Sequence, residues 1–171
     1  MKRTEISTLD YNPYYQNYID LVADVPLLEA LESGFPETET FFNNLPSLKW
    51  TYRYQENKWT PKDILQHIID TERVFCYRAL YFARTENATL AGFDENIFAA
   101  NAKANNKTHL SLIHEYKTVR AATISLFKGI EDAQLKNRGV ANNNSMSVAA
   151  AGFIICGHEI HHRNIINERY F

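Results

Sequence analysis

The residues of this sequence best suited to chemistry lie near its C-terminal end, in the segment GHEIHHRNI at 157–165. His158, Glu159 and His162 match the pattern H-E-x-x-H, in which two histidines of one helix bind zinc and the glutamate activates water for peptide hydrolysis. At about 100° per residue, the two histidines differ by only about 40° around a helix axis. Both imidazoles can therefore bind one metal ion.

A protease of this type usually takes its third metal ligand from well downstream. Only nine residues, RNIINERYF, follow His162, and none of them is a histidine. Glu168 would point about 120° away from His162 around the helix. Glu159 projects about 100° from His158, which suits a carboxylate on the bundle surface, or one that supports a ligand, as well as it suits a general base. The sequence therefore argues against a protease, and we interpret the match as a coincidence in a bundle helix.

His67 is a candidate third ligand from elsewhere in the chain. It follows Ile64 by three residues and precedes Thr71 by four, which places it on the inward face of a predicted helix. His158 and His162 continue the apolar stripe of the last predicted helix. All three histidines are therefore expected to face the interior of the protein.

The depth of these histidines along their helices gives a second test. His67 lies about 9 Å from a helix start at residue 61, whereas His162 and His158 lie about 10 and 16 Å from a helix end at residue 169. The three histidines therefore lie at similar depths in the bundle only if the two helices are antiparallel. With that packing, the sequence predicts a metal site formed by the three side chains.

Two alternatives remain for the histidines. Each could be a buried neutral side chain that is hydrogen-bonded to backbone or carboxylate groups. His161, about 60° from His158 on its other side, could be the ligand in place of His162. We expect His109 and His114 to lie on the surface.

The two cysteines do not fit the same site. Cys156 lies about 200° around the helix from His158, and Cys76 lies about 180° from His67. Both are expected to be small core residues. A site of nitrogen ligands suits Zn²⁺, Ni²⁺ or Fe²⁺ and does not distinguish among them.

Three charged residues beside the histidines have more than one interpretation. Asp70 or Glu72 could orient His67, but we favour a salt bridge to Arg73 or solvation at the surface. Arg163 could bind an anionic substrate group or pair with a carboxylate.

The sequence predicts three long helices, and the first and last of them carry the three histidines. Thr60 is a good N-cap and Pro61 suits the first helical position, so a helix is predicted from Pro61 to about Arg84. Periodic apolar residues predict a second from about 108 to 129, and a third after Ser147 that continues to about 169. The last is apolar nearly all round from 148 to 155, which places it at the centre of a bundle.

The rest of the sequence gives weaker signals for secondary structure. Prolines suggest shorter helices at about 13–22 and 26–44, with a break at 34–36. The run WTYRY at 50–54 is the only strand-like segment and could instead be merely extended, and ANNNSMS at 141–147 suits a loop. Asp94, in the loop AGFDEN, is a candidate helix cap. The long helices predict an all-α, four-helix-bundle fold.

Composition limits the possible functions. The 171 residues are 45% hydrophobic and carry a net charge of −2, with a pI near 6.3. We expect one domain spanning 1–171, and no basic surface for nucleic acid or acidic membranes. No apolar run approaches the roughly 20 residues of a membrane span, and two cysteines suit a reducing compartment, so we expect a cytoplasmic protein.

Three segments together resemble the DinB/YfiT-like superfamily of metalloenzymes, in particular its DinB-like domain group. They are KWTPKDILQHIIDTERVFCYRAL (58–80), LAGFDEN (90–96) and SVAAAGFIICGHEIHHRNIINERY (147–170). The resemblance implies a four-helix bundle with up-down-down-up topology. It also implies a metal held by one histidine of the second helix and two of the fourth, here His67, His158 and His162.

The same resemblance suggests a chemistry, because the superfamily includes transferases and isomerases that use bacillithiol, mycothiol or glutathione. Our leading hypothesis is a metal-dependent thiol S-transferase of the detoxification or stress type, with a low-molecular-weight thiol as cosubstrate and a small-molecule substrate. The alternatives are a metal-dependent hydrolase and a non-catalytic bundle that binds a ligand or partner. A homodimer is expected from the resemblance and from the aromatic content of 13%.

Overall fold

A computed structural model describes residues 1–171 and shows a bundle of four long helices. They are α2 (Leu27–Asn43), α3 (Pro61–Arg84), α5 (His109–Lys128) and α6 (Val148–Arg169). The short helix α1 (Gln16–Ile19) precedes α2, and the short helix α4 (Glu95–Ala102) lies between α3 and α5. The all-α prediction and the bounds of the last three long helices are confirmed. No helix is long and apolar enough to cross a membrane.

Side-chain contacts define the directions of the four helices. The helices α3 and α5 are parallel, because their contacts advance in the same direction along both helices, from Arg73–Glu115 to Cys76–Thr123. The helices α2 and α6 are parallel for the same reason, with contacts at Gly34–Glu159 and then Glu37–Arg163. Contacts between α3 and α6, and those between α2 and α5, run in opposite senses: His67–His158, Glu39–Lys117 and Glu32–Lys128. Trp59, just before α3, likewise contacts Tyr170, just after α6. The topology is therefore up-down-down-up, and the antiparallel arrangement that the histidines required is confirmed.

Local sequence signals fix the helix starts. The Thr60 hydroxyl accepts a hydrogen bond from the Asp63 backbone N–H, and the Asp63 carboxylate accepts one from the Thr60 N–H, which completes a capping box at α3. Ser147 caps α6, and Asp94 caps α4, as the sequence predicted for Asp94. The histidines of α3 and α6 are thus held at fixed depths.

The segment predicted as a loop at 141–147 is instead largely a strand. The strands β2 (Arg138–Ala141) and β3 (Asn144–Ser147) form an antiparallel hairpin, and β1 (Thr89–Leu90) pairs with β2 in parallel. Asn142 and Asn143 both have positive φ, the backbone of a tight hairpin turn that asparagine tolerates. The asparagines therefore mark a turn of two residues, not a long loop.

One further prediction in the first third was wrong, the break at 34–36. The helix α2 continues through Pro36, because buried side chains on both sides of the proline hold it against the bundle. Residues 50–54 form no strand, since no partner strand lies beside them and Trp50 is buried in the core. The short helix expected at about 13–22 is present at 13–19, as a 3₁₀ turn at Pro13–Tyr15 that leads directly into α1.

The centre of the bundle is α6. Every residue from 148 to 159 is buried, as its nearly uniform apolar sequence predicted. Buried charge is therefore costly in this part of the molecule unless it is paired.

Candidate metal centre

His67, His158 and His162 meet between α3 and α6. The Nε2 atom of His158 lies 3.0 Å from Nε2 of His67 and 3.0 Å from Nε2 of His162. The ligand atoms of all three lie within 4.8 Å of one another, and no fourth histidine, cysteine or carboxylate joins them. The structure thus brings together the three side chains that the sequence selected.

This cluster fits a metal better than it fits hydrogen bonding. The Nε2 atom of His158 has either one proton or one lone pair, so it cannot form a strong hydrogen bond to both neighbouring nitrogens. Two nitrogens that bind one ion at 2.0–2.1 Å are about 2.9 Å apart at a right angle and about 3.3 Å apart at a tetrahedral angle. The two Nε2 separations that involve His158, both 3.0 Å, lie within that range.

Burial keeps the three imidazoles neutral, the form that binds metals. It lowers the pKa of His67 to about 4, with His161 adding to the effect. Burial and the neighbouring histidines also hold the pKa values of His158 and His162 well below the usual range. These side chains therefore present lone pairs at neutral pH.

Neighbouring side chains fix the orientations of the imidazoles. The Thr71 hydroxyl lies 3.4 Å from Nδ1 of His67, where it can hold that ring with Nε2 facing the cluster. The Trp59 ring lies 4.7 Å from the ring of His67, and Tyr18 packs edge-on against His158 at 5.5 Å. Gly157 allows Tyr18 to approach His158 this closely, because a Cβ at position 157 would lie only 1.9 Å from the Tyr18 carbonyl oxygen.

A cavity of about 440 Å³ opens from the histidines. Its walls combine aromatic rings with polar side chains from the N-terminal segment and the β2–β3 hairpin: Asn12, Tyr14, Tyr15, Tyr18, Trp59, Phe75, Arg78, Phe93, Glu95, Asn142 and Asn144. Sequence analysis identified none of these as part of the site. The one available signal was the position of Arg78, eleven residues after His67 on the same helical face, and spacing alone did not distinguish it from a surface arginine.

Glu159 faces away from this cavity, which corrects the interpretation of it as a surface residue or general base. Its carboxylate is fully buried and accepts hydrogen bonds of 2.8 Å from Tyr116 and Arg120. Arg120 also donates to both oxygens of Glu72, at 2.8 and 2.9 Å, and Thr123 donates to one of them. Glu159 therefore belongs to a buried ion-pair network and has no free oxygen for water.

Glu72 was also assigned wrongly from sequence, since it pairs with Arg120 inside the bundle and not with Arg73. Burial opposes charge on Arg120, but the two facing carboxylates outweigh it and raise the pKa of the guanidinium well above its usual value. Burial, with Glu159 beside it, raises the pKa of Tyr116. The network therefore holds a charged arginine between two carboxylates.

The remaining candidates near the histidines have simpler roles. Arg73 pairs with Asp70 at 3.3 Å, as expected, and Arg163 pairs with Glu37 at 3.1 Å. His161 packs on Tyr18 at 5.0 Å and lies outside the cluster.

The other histidines and the cysteines lie away from the cluster. His114 is exposed, whereas His109 is half-buried and stacks on Trp50 at 5.3 Å. Cys76 and Cys156 are free thiols, as expected. Burial raises the pKa of both, that of Cys76 to about 12, so neither is a thiolate at neutral pH.

This combination of bundle and histidine cluster agrees with a family assignment. The DinB superfamily model matches residues 30–166, so the chain belongs to the DinB superfamily, as the sequence motifs indicated. A comparison with curated proteins finds no match.

Solved structures with the same fold share little sequence with this chain. YfiT from Bacillus subtilis, described as a probable metal-dependent hydrolase with an unusual four-helix bundle topology, matches with a TM-score of 0.73 at 15% identity, over 83% of this chain and 82% of its own. The DinB-like protein YjoA from Bacillus subtilis matches with a TM-score of 0.60 at 15% identity, over 83% and 87%. A mycothiol-dependent maleylpyruvate isomerase matches with a TM-score of 0.62 at 12% identity, over 81% and 60%.

Proposed function

We propose that this protein is a divalent-metal-dependent enzyme that binds Zn²⁺, Ni²⁺ or Fe²⁺ through His67, His158 and His162. We further propose that it transfers a low-molecular-weight thiol to a small electrophilic substrate. The observation that carries this proposal is the opening of the three-histidine cluster into a cavity of about 440 Å³. Three protein ligands with an open position are typical of catalytic metal sites, whereas structural zinc sites usually have four.

The chemistry follows from the charge of the site. His67, His158 and His162 would hold a divalent metal as neutral ligands, and its charge of +2 would lower the pKa of a thiol bound beside them. The thiol proton passes to solvent, and the sulfur lone pair forms a bond to an electrophilic carbon of the substrate. The bond from that carbon to its leaving group breaks, and the leaving group departs with the electron pair.

The residues of the chain favour an external thiol over other nucleophiles. Cys76 and Cys156 are protonated at neutral pH and do not join the histidine cluster. Attack by water is normally assisted by a base, yet both oxygens of Glu159 are engaged by Tyr116 and Arg120. A thiolate needs no base after its deprotonation. The mycothiol dependence of the isomerase that shares this fold also supports this choice.

A hydrolase is the second candidate. The description of YfiT as a probable metal-dependent hydrolase favours it, and Glu95 provides a carboxylate in the cavity wall.

One panel of assays compares these functions. Zinc-loaded protein would be assayed for conjugation of bacillithiol, mycothiol and glutathione to electrophiles, and for hydrolysis of esters and amides. Thiol conjugation should require metal and disappear in His67→Ala, while His114→Ala, an exposed histidine, and Glu159→Gln should keep most of it. Metal-dependent hydrolysis without conjugation would favour the hydrolase. Inactivity throughout the panel would favour a non-catalytic binding protein.

We also propose that residues 1–171 act as one domain, because segments from the N-terminus, α3, the hairpin and α6 all line the same cavity. Two such chains are proposed to form a homodimer. Exposed aromatic side chains on the outer face of the bundle support this, among them Tyr77 and Tyr81, whose rings lie 5.8 Å apart on α3.

A further inference from the structure

Arg78 is the one buried arginine without a carboxylate partner. Arg78 is only 3% exposed and forms no ion pair. The other buried arginine, Arg120, forms ion pairs with two carboxylates. The guanidinium lies over the rings of Phe75 and Phe93, at 4.8 and 5.8 Å from their centroids. A buried charge is costly without a partner, so this side chain has unused capacity to bind an anion.

The cavity places this charge opposite the histidines. Eleven residues separate His67 and Arg78, so they lie within about 20° of each other around α3 and about 16 Å apart along its axis. Arg78 packs over Phe75, one turn nearer the N-terminus, so its guanidinium extends toward the histidines. A gap on the order of 10 Å remains, which suits a small molecule with a reactive group at each end.

The surrounding groups favour a single negative charge. Burial lowers the pKa of Arg78, and the nearby Tyr15 hydroxyl partly opposes this effect. Glu95 also lines the cavity but is exposed and forms no ion pair with Arg78. Its carboxylate would repel a dianion such as phosphate more strongly than a monoanion. A planar guanidinium also matches a carboxylate in bidentate geometry.

We propose that Arg78 binds the carboxylate of a ligand whose thiol lies at the three-histidine cluster, which makes Arg78 a specificity-determining residue for acidic thiols. This inference rests on the proposed function for the thiol end of the ligand only. The carboxylate end depends on Arg78 and its cavity, and it can be tested without metal.

The test uses two thiols that differ only at the far end, 6-mercaptohexanoate and 6-mercaptohexan-1-ol. Binding to zinc-loaded protein would be measured by calorimetry, and folding of each variant by thermal unfolding. We expect the acid to bind about 10- to 100-fold more tightly than the alcohol, as for a charge-assisted bidentate contact. Arg78→Gln should remove this preference without changing the affinity for the alcohol, and Arg78→Lys should keep part of it.

Arg84→Gln is the matched control, because Arg84 is an exposed arginine of the same helix and forms no ion pair. It should keep the full preference for the acid. Equal binding of the two thiols by the unmodified protein would overturn the proposal. A preference that survives in Arg78→Gln would overturn it as well, as would an equal loss of both ligands in that variant.

Metal-free protein separates this inference from the proposed function. Hexanoate, which has no thiol, should bind to it with an affinity that Arg78→Gln abolishes. Such binding would support the carboxylate subsite even if neither thiol bound to the zinc-loaded protein, a result that would count against the transferase alone. Tighter binding of inorganic phosphate than of hexanoate would overturn the assignment of a carboxylate.

Discussion

The Nε2 atoms of His67 and His158 lie 3.0 Å apart, although 91 residues separate them in the sequence. Two antiparallel helices produce this contact, because α3 presents its first turns to the last turns of α6. Neither ring has a carboxylate partner that would explain its burial. A metal ion shared by the histidines would offset the cost of burying them.

The stability of the metal-free protein should fall as the pH is lowered from about 7 to about 4. The folded-state pKa of His67 is lowered to about 4 from 6.5, so between these values the unfolded chain binds more protons than the folded one. Stability is therefore full above the unfolded pKa and decreases toward the folded pKa. The slope should approach about 1.4 kcal/mol per pH unit for each such histidine.

Urea unfolding at a series of pH values measures this slope. The variant His67→Gln should show a smaller slope, while His114→Gln, an exposed control, should keep it. A slope unchanged in His67→Gln would contradict the assigned pKa shift.

Replacing Arg120 by methionine should destabilise the bundle strongly. It would leave Glu72 and Glu159, 2% and 0% exposed, without their shared cation. Breaking a buried ion pair in this way costs about 3–5 kcal/mol. The control Arg73→Met removes an exposed arginine of surface salt bridges and should cost no more than about 1 kcal/mol. Similar urea-unfolding energies for the two variants would show that the network contributes little.

Gly157→Ala should disturb the contact between α1 and α6 beside His158. The added Cβ would lie 1.9 Å from the Tyr18 carbonyl oxygen, so the N-terminal segment must move. Overpacking of this kind costs about 1–3 kcal/mol. Gly129→Ala is a suitable control, since its nearest contact is 3.5 Å. Thermal unfolding of both variants gives the comparison, and equal melting temperatures would argue against tight packing at Gly157.

Solution scattering at tens of micromolar tests the proposed homodimer. The expected mass is twice the 19.8 kDa of one chain. Replacing the exposed Tyr77 and Tyr81 by serine should shift the mass toward that of a monomer, because it removes aromatic surface from the face proposed to associate. A monomeric mass for the unmodified protein would rule out a dimer at this concentration.

The parts of this structure that follow from local chemistry could be predicted from the sequence. Thr60, Pro61 and Ser147 fix helix starts through capping, and the spacing of His158 and His162 places both on one helical face. These signals depend only on near neighbours in the chain. They were sufficient to predict the bundle and the meeting of the three histidines.

The parts that depend on distant contacts could not be predicted. Glu72 and Glu159 look like ordinary helix carboxylates until Arg120 of another helix is placed between them. Arg78 becomes notable only when no carboxylate is found beside it. Pro36 likewise remains helical because of tertiary packing, which outweighs its local preference.

Elemental analysis of the purified protein and two histidine variants tests the central claim most directly. The unmodified protein should contain close to one transition-metal ion per chain. His158→Ala should abolish it, because its Nε2 lies 3.0 Å from both other histidines, whereas His161→Ala should retain it, since His161 lies outside the cluster. Full metal retention in His158→Ala, or loss of metal in His161→Ala alone, would contradict the proposed centre.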